Sequence, residues 1–294
     1  MKDGKVVGER YADGFGAETP LLGWSMAKTV TGALVGVMEK DGLTTRETTG
    51  LFPQWKGDAR AKVSVGDMLG MVSSLKWNEG YGTVSDVTRM LYLENDMAAF
   101  ATKAGLEPAK GEKIGEVFNY SSGTSVALSA YLQSLFPTPK DGISYLQSRL
   151  LDPIGMTSAI VETDATGTMV GGSYIYATAR DWARFGQFLL DGGRAQGELL
   201  VPEEYVSWMT TAHPASQSGA YGQGHIWRLP PNRRHNETGV PFAHKAWWLA
   251  GHDSQSVGIV PDKNLVVVRM GLTPSKLKYR PAPLTSAIIE ALEK

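Results

Sequence analysis

The chain has 294 residues, of which 42% are hydrophobic and 20% are charged, and its formal net charge is -1 at pH 7. This length allows one large domain or two smaller ones, and the composition is typical of a globular protein. The near-neutral charge gives no reason to expect nucleic acid or an anionic membrane as a partner. The chain has no cysteine, which excludes disulfides, thiolate catalysis and cysteine-based zinc sites and leaves the redox compartment open.

No stretch of the sequence is apolar over the roughly 20 residues that a membrane span requires. The first residues lead directly into 6–11 without an apolar leader, so no signal peptide is predicted. This abrupt start suggests either a longer precursor that has been trimmed or an expressed chain that has been shortened, which mapping of the native N-terminus would test. Periplasmic and cytoplasmic locations both stay open, as does the oligomeric state.

The predicted elements change in character along the chain. Residues 5–11 are predicted as a strand after the Asp3-Gly4 turn, and 26–41 as a long helix that ends at Asp41-Gly42. The middle of the chain is helical, with predicted helices over 64–71, 85–103, 121–136 and 141–150. The last third has helices over 178–192 and from 202, then strands over 224–228, 245–250, 256–260 and 265–270, and a final helix over 282–294.

This order of strand, helices and strands predicts an antiparallel sheet built from both ends of the chain, with a helical insertion. We expect a sheet domain formed by 1–50 and 155–294, and a helical domain over 51–154. Ligand sites are favoured where two such regions meet. The active site is therefore expected in the cleft between the two domains.

A serine and a lysine lie three residues apart where the helix over 26–41 begins. Residues at this spacing share a helix face, so the hydroxyl of Ser25 and the amine of Lys28 can meet, and such a pair can activate a nucleophile. The same Ser-x-x-Lys spacing occurs from Ser73 and from Ser275, but neither of these begins an apolar helix. Local sequence alone leaves an N-cap role for Ser25 open beside the catalytic one.

Tyr120 stands at the start of another predicted helix, after the strand-like run 117–119. In that position it could approach Ser25 from the helical region. Near a lysine ammonium and the positive end of a helix, its phenol is expected to ionise more readily than usual and to act as a general base. The alternative is a buried tyrosine with an ordinary hydrogen bond, beside Ser121 as a helix cap.

A third segment, Leu249 to Gln255, lies between two predicted strands and contains Gly251-His252-Asp253. Glycine permits close backbone approach, and a strand edge can offer an N–H group to a developing oxyanion. The alternative is a hairpin bend in which His252 has a structural or surface role.

Together, Ser25-Met26-Ala27-Lys28, Tyr120-Ser121-Ser122 and Gly251-His252-Asp253-Ser254 occur in the order and approximate spacing of the serine β-lactamase and penicillin-binding-protein superfamily. The chain resembles the class C-like branch, which includes carboxylesterases, and the stretches 22–25, 174–181 and 251–255 look like 6-aminohexanoate-dimer-hydrolase sequences. The resemblance covers essentially the whole chain. It implies an α/β (α+β) fold of β-lactamase type, with a central antiparallel sheet flanked by helices and an all-helical insertion.

The resemblance also implies catalytic roles. Ser25 resembles the acylated nucleophile, and Lys28 the amine that shares its proton. Tyr120 resembles the family's tyrosine base, which passes that proton to the leaving group and later activates water. The backbone N–H groups of Ser25 and Gln255 would form the oxyanion hole.

Three further positions are matched less directly. Ser122 takes the place of asparagine in Tyr-x-Asn, and His252 that of lysine in Lys-Thr/Ser-Gly. Tyr81, in a polar stretch on the helical side, is a candidate substrate contact. The resemblance implies no cofactor and no metal, and the five histidines show no metal-ligand spacing such as His-x-x-x-His.

The departures from the family pattern bear on the substrate. In β-lactam recognition the family's lysine supplies positive charge near the substrate carboxylate, whereas histidine is largely neutral near pH 7 and Asp253 adds negative charge. Ser122 also lacks an amide that could hold both an acyl carbonyl and Lys28. We therefore expect a serine hydrolase that cleaves small-molecule carboxylic esters or small amides through an acyl-enzyme on Ser25. A β-lactamase or penicillin-binding D,D-peptidase and a non-catalytic ligand-binding relative stay open as alternatives.

Overall fold

The structure, a computed structural model, describes residues 1–107, 113–216, 218–229 and 242–294. The helices in these ranges are α1 (Ala27–Lys40), α2 (Val65–Leu69), α3 (Asp86–Leu93), α4 (Met97–Thr102), α5 (Ser122–Gln133), α6 (Pro139–Leu146), α7 (Asp152–Ile154), α8 (Ala179–Leu190), α9 (Tyr205–Met209) and α10 (Pro281–Leu292). The strands are β1 (Leu21–Leu22), β2 (Ile160–Val161), β3 (Ile175–Ala177), β4 (Arg194–Ala195), β5 (Glu198–Leu199), β6 (Trp227–Leu229), β7 (Ala246–Gly251), β8 (Gln255–Val260) and β9 (Leu265–Arg269). Across the described ranges, no helix has the length and apolar character needed to span a membrane.

Four antiparallel strands form the main sheet, in the order β6-β7-β8-β9. All six residues of β8 are buried, because both faces of the sheet are covered. On one face Val257 joins the main core beside α8, and on the other Val260 joins a second apolar cluster with Ile289 of α10. This alternation is expected of a strand whose successive side chains point to opposite faces.

Helix α1 lies inside the main core, with residues 27–38 all buried. A helix covered on every side carries mostly apolar or small residues, and within 27–38 the long polar exception is Lys28. Gly36 allows close packing against Tyr205, since a Cβ at 36 would lie 2.6 Å from the ring. The Tyr205 hydroxyl donates to the Gly32 carbonyl oxygen at 2.6 Å. The middle of α1 is therefore packed closely against α9.

A smaller sheet, in the order β1-β3-β2, fixes the chain just before α1. Leu22 of β1 is paired with Tyr176 of β3, and the N–H group of Gly23 donates to the Ile175 carbonyl oxygen at 2.8 Å. The end of β7 also approaches this point, since a Cβ on Gly251 would overlap the carbonyl oxygen of Gly23. The segment that carries Ser25 is thus anchored to both sheets.

Much of the predicted secondary structure is confirmed. The helices expected over 26–41, 64–71 and 178–192 correspond to α1, α2 and α8 with ends within two residues. Ser64 and Asp67 form the expected capping box at the start of α2. The four late strands form the main sheet, and the mixed architecture is that of the expected fold class. The division into domains at 51 and 155 stays a prediction.

Several predicted elements are wrong. No strand forms over 5–11, where described bridges join only Lys2 to Lys5 and to Leu265, and none forms over 117–119. The single helix expected over 85–103 is two helices, α3 and α4, because Asp96 accepts the N–H group of Ala99 and caps a new helix.

Two helices begin at residues other than the predicted ones. Thr138 caps α6 with Pro139 in its first turn, so this proline begins a helix that we placed from 141. The helix expected from 202 begins at Tyr205.

Candidate active site

Ser25 lies in a 3-10 turn, Trp24–Met26, that continues directly into α1. The N-cap residue of α1 is Met26, and neither this turn nor α1 has a side-chain cap. The N-cap alternative for Ser25 is therefore wrong. Its hydroxyl oxygen instead accepts a hydrogen bond from the Lys28 amine at 3.0 Å.

The Lys28 side chain is buried, with 1% of the residue exposed. Besides Ser25, its Nζ donates to the Ser122 hydroxyl at 2.8 Å and to the Gly172 carbonyl oxygen at 2.7 Å. Burial lowers the pKa of the Lys28 ammonium from 10.5 to about 8, and the negative charge of Glu79 partly opposes this shift. A fraction of roughly one tenth is then neutral at pH 7, which makes Lys28 a usable base.

Tyr120 reaches the same point from the segment before α5, where Ser121 caps the helix by accepting the Thr124 N–H at 2.9 Å. The Lys28 Nζ atom lies 5.0 Å from the centre of the Tyr120 ring, and the Tyr120 phenol is close enough to Ser25 for that side chain to affect its pKa. The expectation of an easily ionised phenol is wrong, because burial raises the pKa of Tyr120 well above its ordinary value of 10. Tyr120 is a neutral phenol at physiological pH and can give a proton.

Ser122 is fully buried in the first turn of α5 and connects Lys28 to a carboxylate that the sequence analysis missed. The Ser122 hydroxyl donates to Glu79 Oε1, and its N–H donates to Glu79 Oε2 at 2.8 Å. Trp77 Nε1 also donates to Glu79 Oε2, at 2.6 Å. The only sequence signal was that Glu79 stands two residues before Tyr81 in the same polar stretch.

Tyr81 and His252 meet across the site although 171 positions separate them in the chain. Their rings lie 4.4 Å apart at 30°, and the His252 ring packs edge-on against Trp24, next to Ser25, at 5.4 Å. Burial raises the pKa of the Tyr81 phenol, and the nearby Ser122 side chain partly opposes this shift. These rings form an aromatic wall beside Ser25.

A second group of rings supports Tyr120. Trp227 of β6 lies 5.6 Å from the Tyr120 ring, and Tyr221 packs edge-on against it at 6.0 Å. The Tyr221 hydroxyl approaches Nδ1 of His225, a buried residue whose pKa is lowered to about 3 by burial. These residues lie outside the three motifs from which the site was predicted.

The side chain of Gln255 has a structural role. Its Nε2 donates to the Gly271 carbonyl oxygen and its Oε1 accepts the Gly271 N–H, both at 2.8 Å. Gly251 pairs with Gln255 across the turn that carries His252. The oxyanion role of the Ser25 and Gln255 N–H groups stays a prediction.

Among the residues that the structure describes, no three His, Asp or Glu side chains are grouped so that they could hold a metal ion. The groups around Ser25 that could take part in chemistry include its own hydroxyl, the Lys28 amine and the Tyr120 phenol. A hydroxyl, a buried amine and a neutral phenol in mutual contact can support nucleophilic attack and proton transfer.

The family model described as Beta-lactamase matches residues 1–282, and the chain therefore belongs to this family of hydrolases. The match confirms the family resemblance drawn from the three motifs, and with it the β-lactamase-like fold class. It does not by itself specify a substrate.

Individual relatives are distant. The 6-aminohexanoate-dimer hydrolase of Paenarthrobacter ureafaciens is 24% identical over 280 residues, covering 85% of this chain and 68% of that protein. The structure of a candidate 6-aminohexanoate-dimer hydrolase from Bacillus anthracis is similar with a TM-score of 0.80 and 22% identity, over 100% of this chain and 78% of that one. A penicillin-binding protein from Bacillus halodurans is similar with a TM-score of 0.67 and 16% identity, over 94% and 87% of the two chains. At these identities the two structures establish a shared fold.

Proposed function

We propose that the protein is a serine hydrolase that cleaves carboxylic esters or small amides through an acyl-enzyme on Ser25. The observation that carries this proposal is the 3.0 Å hydrogen bond between the Ser25 hydroxyl and the buried amine of Lys28, whose pKa burial lowers to about 8. A serine hydroxyl is a weak nucleophile until a neighbouring base removes its proton.

In the first step, the neutral amine of Lys28 takes the proton of Ser25 as the Ser25 oxygen attacks the substrate carbonyl carbon. The carbonyl oxygen becomes negatively charged and is stabilised by the N–H groups of Ser25 and Gln255. Donors that already point at this position need not reorganise as the charge develops.

In the second step, the tetrahedral intermediate expels its alkoxide or amine, which takes a proton from the neutral phenol of Tyr120. The Lys28 ammonium then returns a proton to Tyr120, so the acyl-enzyme forms without net proton loss. Water enters and loses a proton to Lys28, and its oxygen attacks the acyl carbonyl. The Ser25 oxygen leaves with that proton, which restores the resting state.

The wall formed by Trp24, Tyr81 and His252 favours an uncharged, partly apolar acyl group over an anionic one. Asp253 places a carboxylate 3.6 Å from the His252 ring nitrogen, which disfavours a substrate carboxylate there. The distant relative described as a 6-aminohexanoate-dimer hydrolase makes a small linear amide the natural second substrate class.

Intact-protein mass spectrometry tests the acyl-enzyme. The protein is mixed for milliseconds to seconds with p-nitrophenyl acetate, p-nitrophenyl butyrate, the 6-aminohexanoate dimer or penicillin, and is then acid-quenched. We expect acetyl and butyryl adducts that map to the peptide containing Ser25. Peptides containing Ser73 and Ser275, the other Ser-x-x-Lys serines, serve as internal controls and stay unmodified.

Turnover of the esters with an adduct on another residue would contradict the assignment of Ser25. A stable penicillin adduct on Ser25, together with slow ester turnover, would favour the penicillin-binding alternative. Acylation by esters without release would favour a non-catalytic relative.

The pH dependence of ester hydrolysis follows from the pKa of Lys28. Lys28 accepts the Ser25 proton only when it is neutral, so kcat/KM rises with pH, reaches half its maximum near pH 8 and levels off above about pH 9. Tyr120, whose pKa burial raises, stays protonated over this range and adds no fall below pH 10. The profile is measured from pH 6 to 9.5 with p-nitrophenyl butyrate, after subtraction of the Ser25→Ala rate at each pH. A flat profile, or a limb centred below pH 6, would exclude Lys28 as the base.

A further inference from the structure

The Ser122 hydroxyl lies between two groups that can accept a hydrogen bond from it. One is the Lys28 amine, which accepts only when it is neutral, and the other is the Glu79 carboxylate, which always accepts. Lys28 Nζ is 2.8 Å from the Ser122 oxygen on one side, and Glu79 Oε1 accepts its proton on the other. Glu79 receives two further hydrogen bonds, from the Ser122 N–H and from Trp77 Nε1. Because Ser122 is fully buried, its hydroxyl has no alternative solvent partner.

The direction of these hydrogen bonds matters when Lys28 is neutral. A neutral amine has two N–H groups and one lone pair, and Lys28 Nζ has three polar neighbours within 3.0 Å. The Gly172 carbonyl oxygen can only accept, so the lone pair must face a hydroxyl that donates. The hydroxyls of Ser25 and Ser122 can both donate, and only the Ser25 proton is productive.

A carboxylate removes this ambiguity, since its oxygens only accept hydrogen bonds. Because the Ser122 hydroxyl donates its hydrogen to Glu79, its oxygen can only accept a hydrogen bond from an N–H group of Lys28. The Lys28 lone pair is then left for the proton of Ser25.

We propose that Glu79 is a positioning residue that acts through Ser122 to direct the lone pair of neutral Lys28 toward the Ser25 hydroxyl. The inference rests on the proposed function, because it concerns the proton that leaves Ser25. It also accounts for serine at a position where the resembled family has asparagine. An amide oxygen accepts without ambiguity, whereas a serine hydroxyl needs a second group to fix its proton.

The first test is Glu79→Gln. Its amide can donate to Ser122, which frees the Ser122 proton to occupy the Lys28 lone pair. We expect kcat for p-nitrophenyl butyrate to fall roughly tenfold or more, with KM changed by less than about threefold. The rising limb of kcat/KM also moves to lower pH, because the negative charge of Glu79 raises the pKa of Lys28. Glu94→Gln, at a carboxylate of the same region that pairs with Arg89, is the matched control and keeps the wild-type profile.

The second test removes the ambiguous hydroxyl. In a Ser122→Ala background no competing proton remains, so Glu79→Gln should change kcat by less than about twofold at pH 9.5, where Lys28 is already neutral with or without the Glu79 charge. A Ser122→Asn background should behave likewise, because the amide oxygen accepts from Lys28. Melting temperatures of all variants are measured alongside, which separates loss of fold from loss of positioning.

Wild-type kcat and pH profile in Glu79→Gln would overturn the inference. An equal loss of kcat from Glu79→Gln in the Ser122, Ser122→Ala and Ser122→Asn backgrounds would also overturn it, since a merely structural role predicts that result. Either outcome leaves the proposed function intact if Ser25→Ala abolishes turnover. Failure of the proposed function is recognised separately, by turnover that persists in Ser25→Ala.

Discussion

Replacement of Ser25 by alanine is expected to lower kcat/KM for p-nitrophenyl butyrate by about 10⁴-fold or more. Loss of a nucleophile removes the covalent route altogether and leaves only what binding and oxyanion stabilisation provide. The fold should be little affected, because the Ser25 side chain caps no helix and is only partly buried. We therefore expect a melting temperature within about 3 °C of wild type, measured on the same preparation as the kinetics.

Ser73→Ala is the matched control for this prediction. Ser73 also begins a Ser-x-x-Lys match, but its hydroxyl lies 3.4 Å from that of Thr124 and Lys76 is exposed. This variant should keep wild-type turnover, within about twofold. More than a tenth of wild-type turnover in Ser25→Ala would exclude Ser25 as the nucleophile.

The parts of the site that sequence could predict are those fixed by local geometry. Ser25 and Lys28 meet because residues three apart at the start of a helix share a face, whatever the rest of the fold does. Tyr120 and the Gly251–Gln255 turn needed the family resemblance, since their approach to Ser25 depends on tertiary packing.

Glu79 was missed for a physical reason. It contacts Ser122 from 43 positions away, in a loop with no periodic pattern, and a single acidic residue in a polar stretch is usually a solvated one. Tyr120 was found, but the direction of its pKa shift was not. That direction depends on whether burial or the nearby lysine dominates, and only coordinates show that burial does.

The errors in the fold have a similar origin. The run 5–11 resembles a hairpin strand after the Asp3-Gly4 turn, but a strand forms only with a partner, and described pairing in this region stops at Lys2 and Lys5. The break between α3 and α4 did have a local signal. Asn95-Asp96 interrupts the helical pattern, and Asp96 caps α4 as its residue type favours. Met97 N–H is also held by Asp164, a contact that sequence cannot predict.

Replacement of Lys28 by methionine should be nearly as severe for activity, with kcat/KM lowered by about 10³- to 10⁴-fold, because no base remains beside Ser25. It should also change how stability depends on pH. The pKa of Lys28 is about 8 in the folded chain and 10.5 as its ordinary value, so between these values the unfolded state binds more protons. The free energy of unfolding of the wild type therefore rises with pH in this window, by about 2 kcal/mol from pH 7 to 9.5.

Lys28→Met lacks this titration, so over the same window its unfolding free energy should rise by about 2 kcal/mol less than that of the wild type. Urea unfolding at pH 7, 8, 9 and 9.5 measures the difference between the two proteins. The series stops at pH 9.5 because Tyr205 and Tyr221, whose pKa values are raised by burial, lose their stabilising effect once the unfolded tyrosines ionise near pH 10.

Lys76→Met, at an exposed lysine, is the control and should follow the wild type at every pH. A constant difference in unfolding free energy between wild type and Lys28→Met would mean that the lysine is not destabilised by burial. The proposal that Lys28 acts as a neutral base near pH 8 would then lose its physical basis. The same lowered pKa predicts both the rise of kcat/KM with pH and the rise of the unfolding free energy with pH.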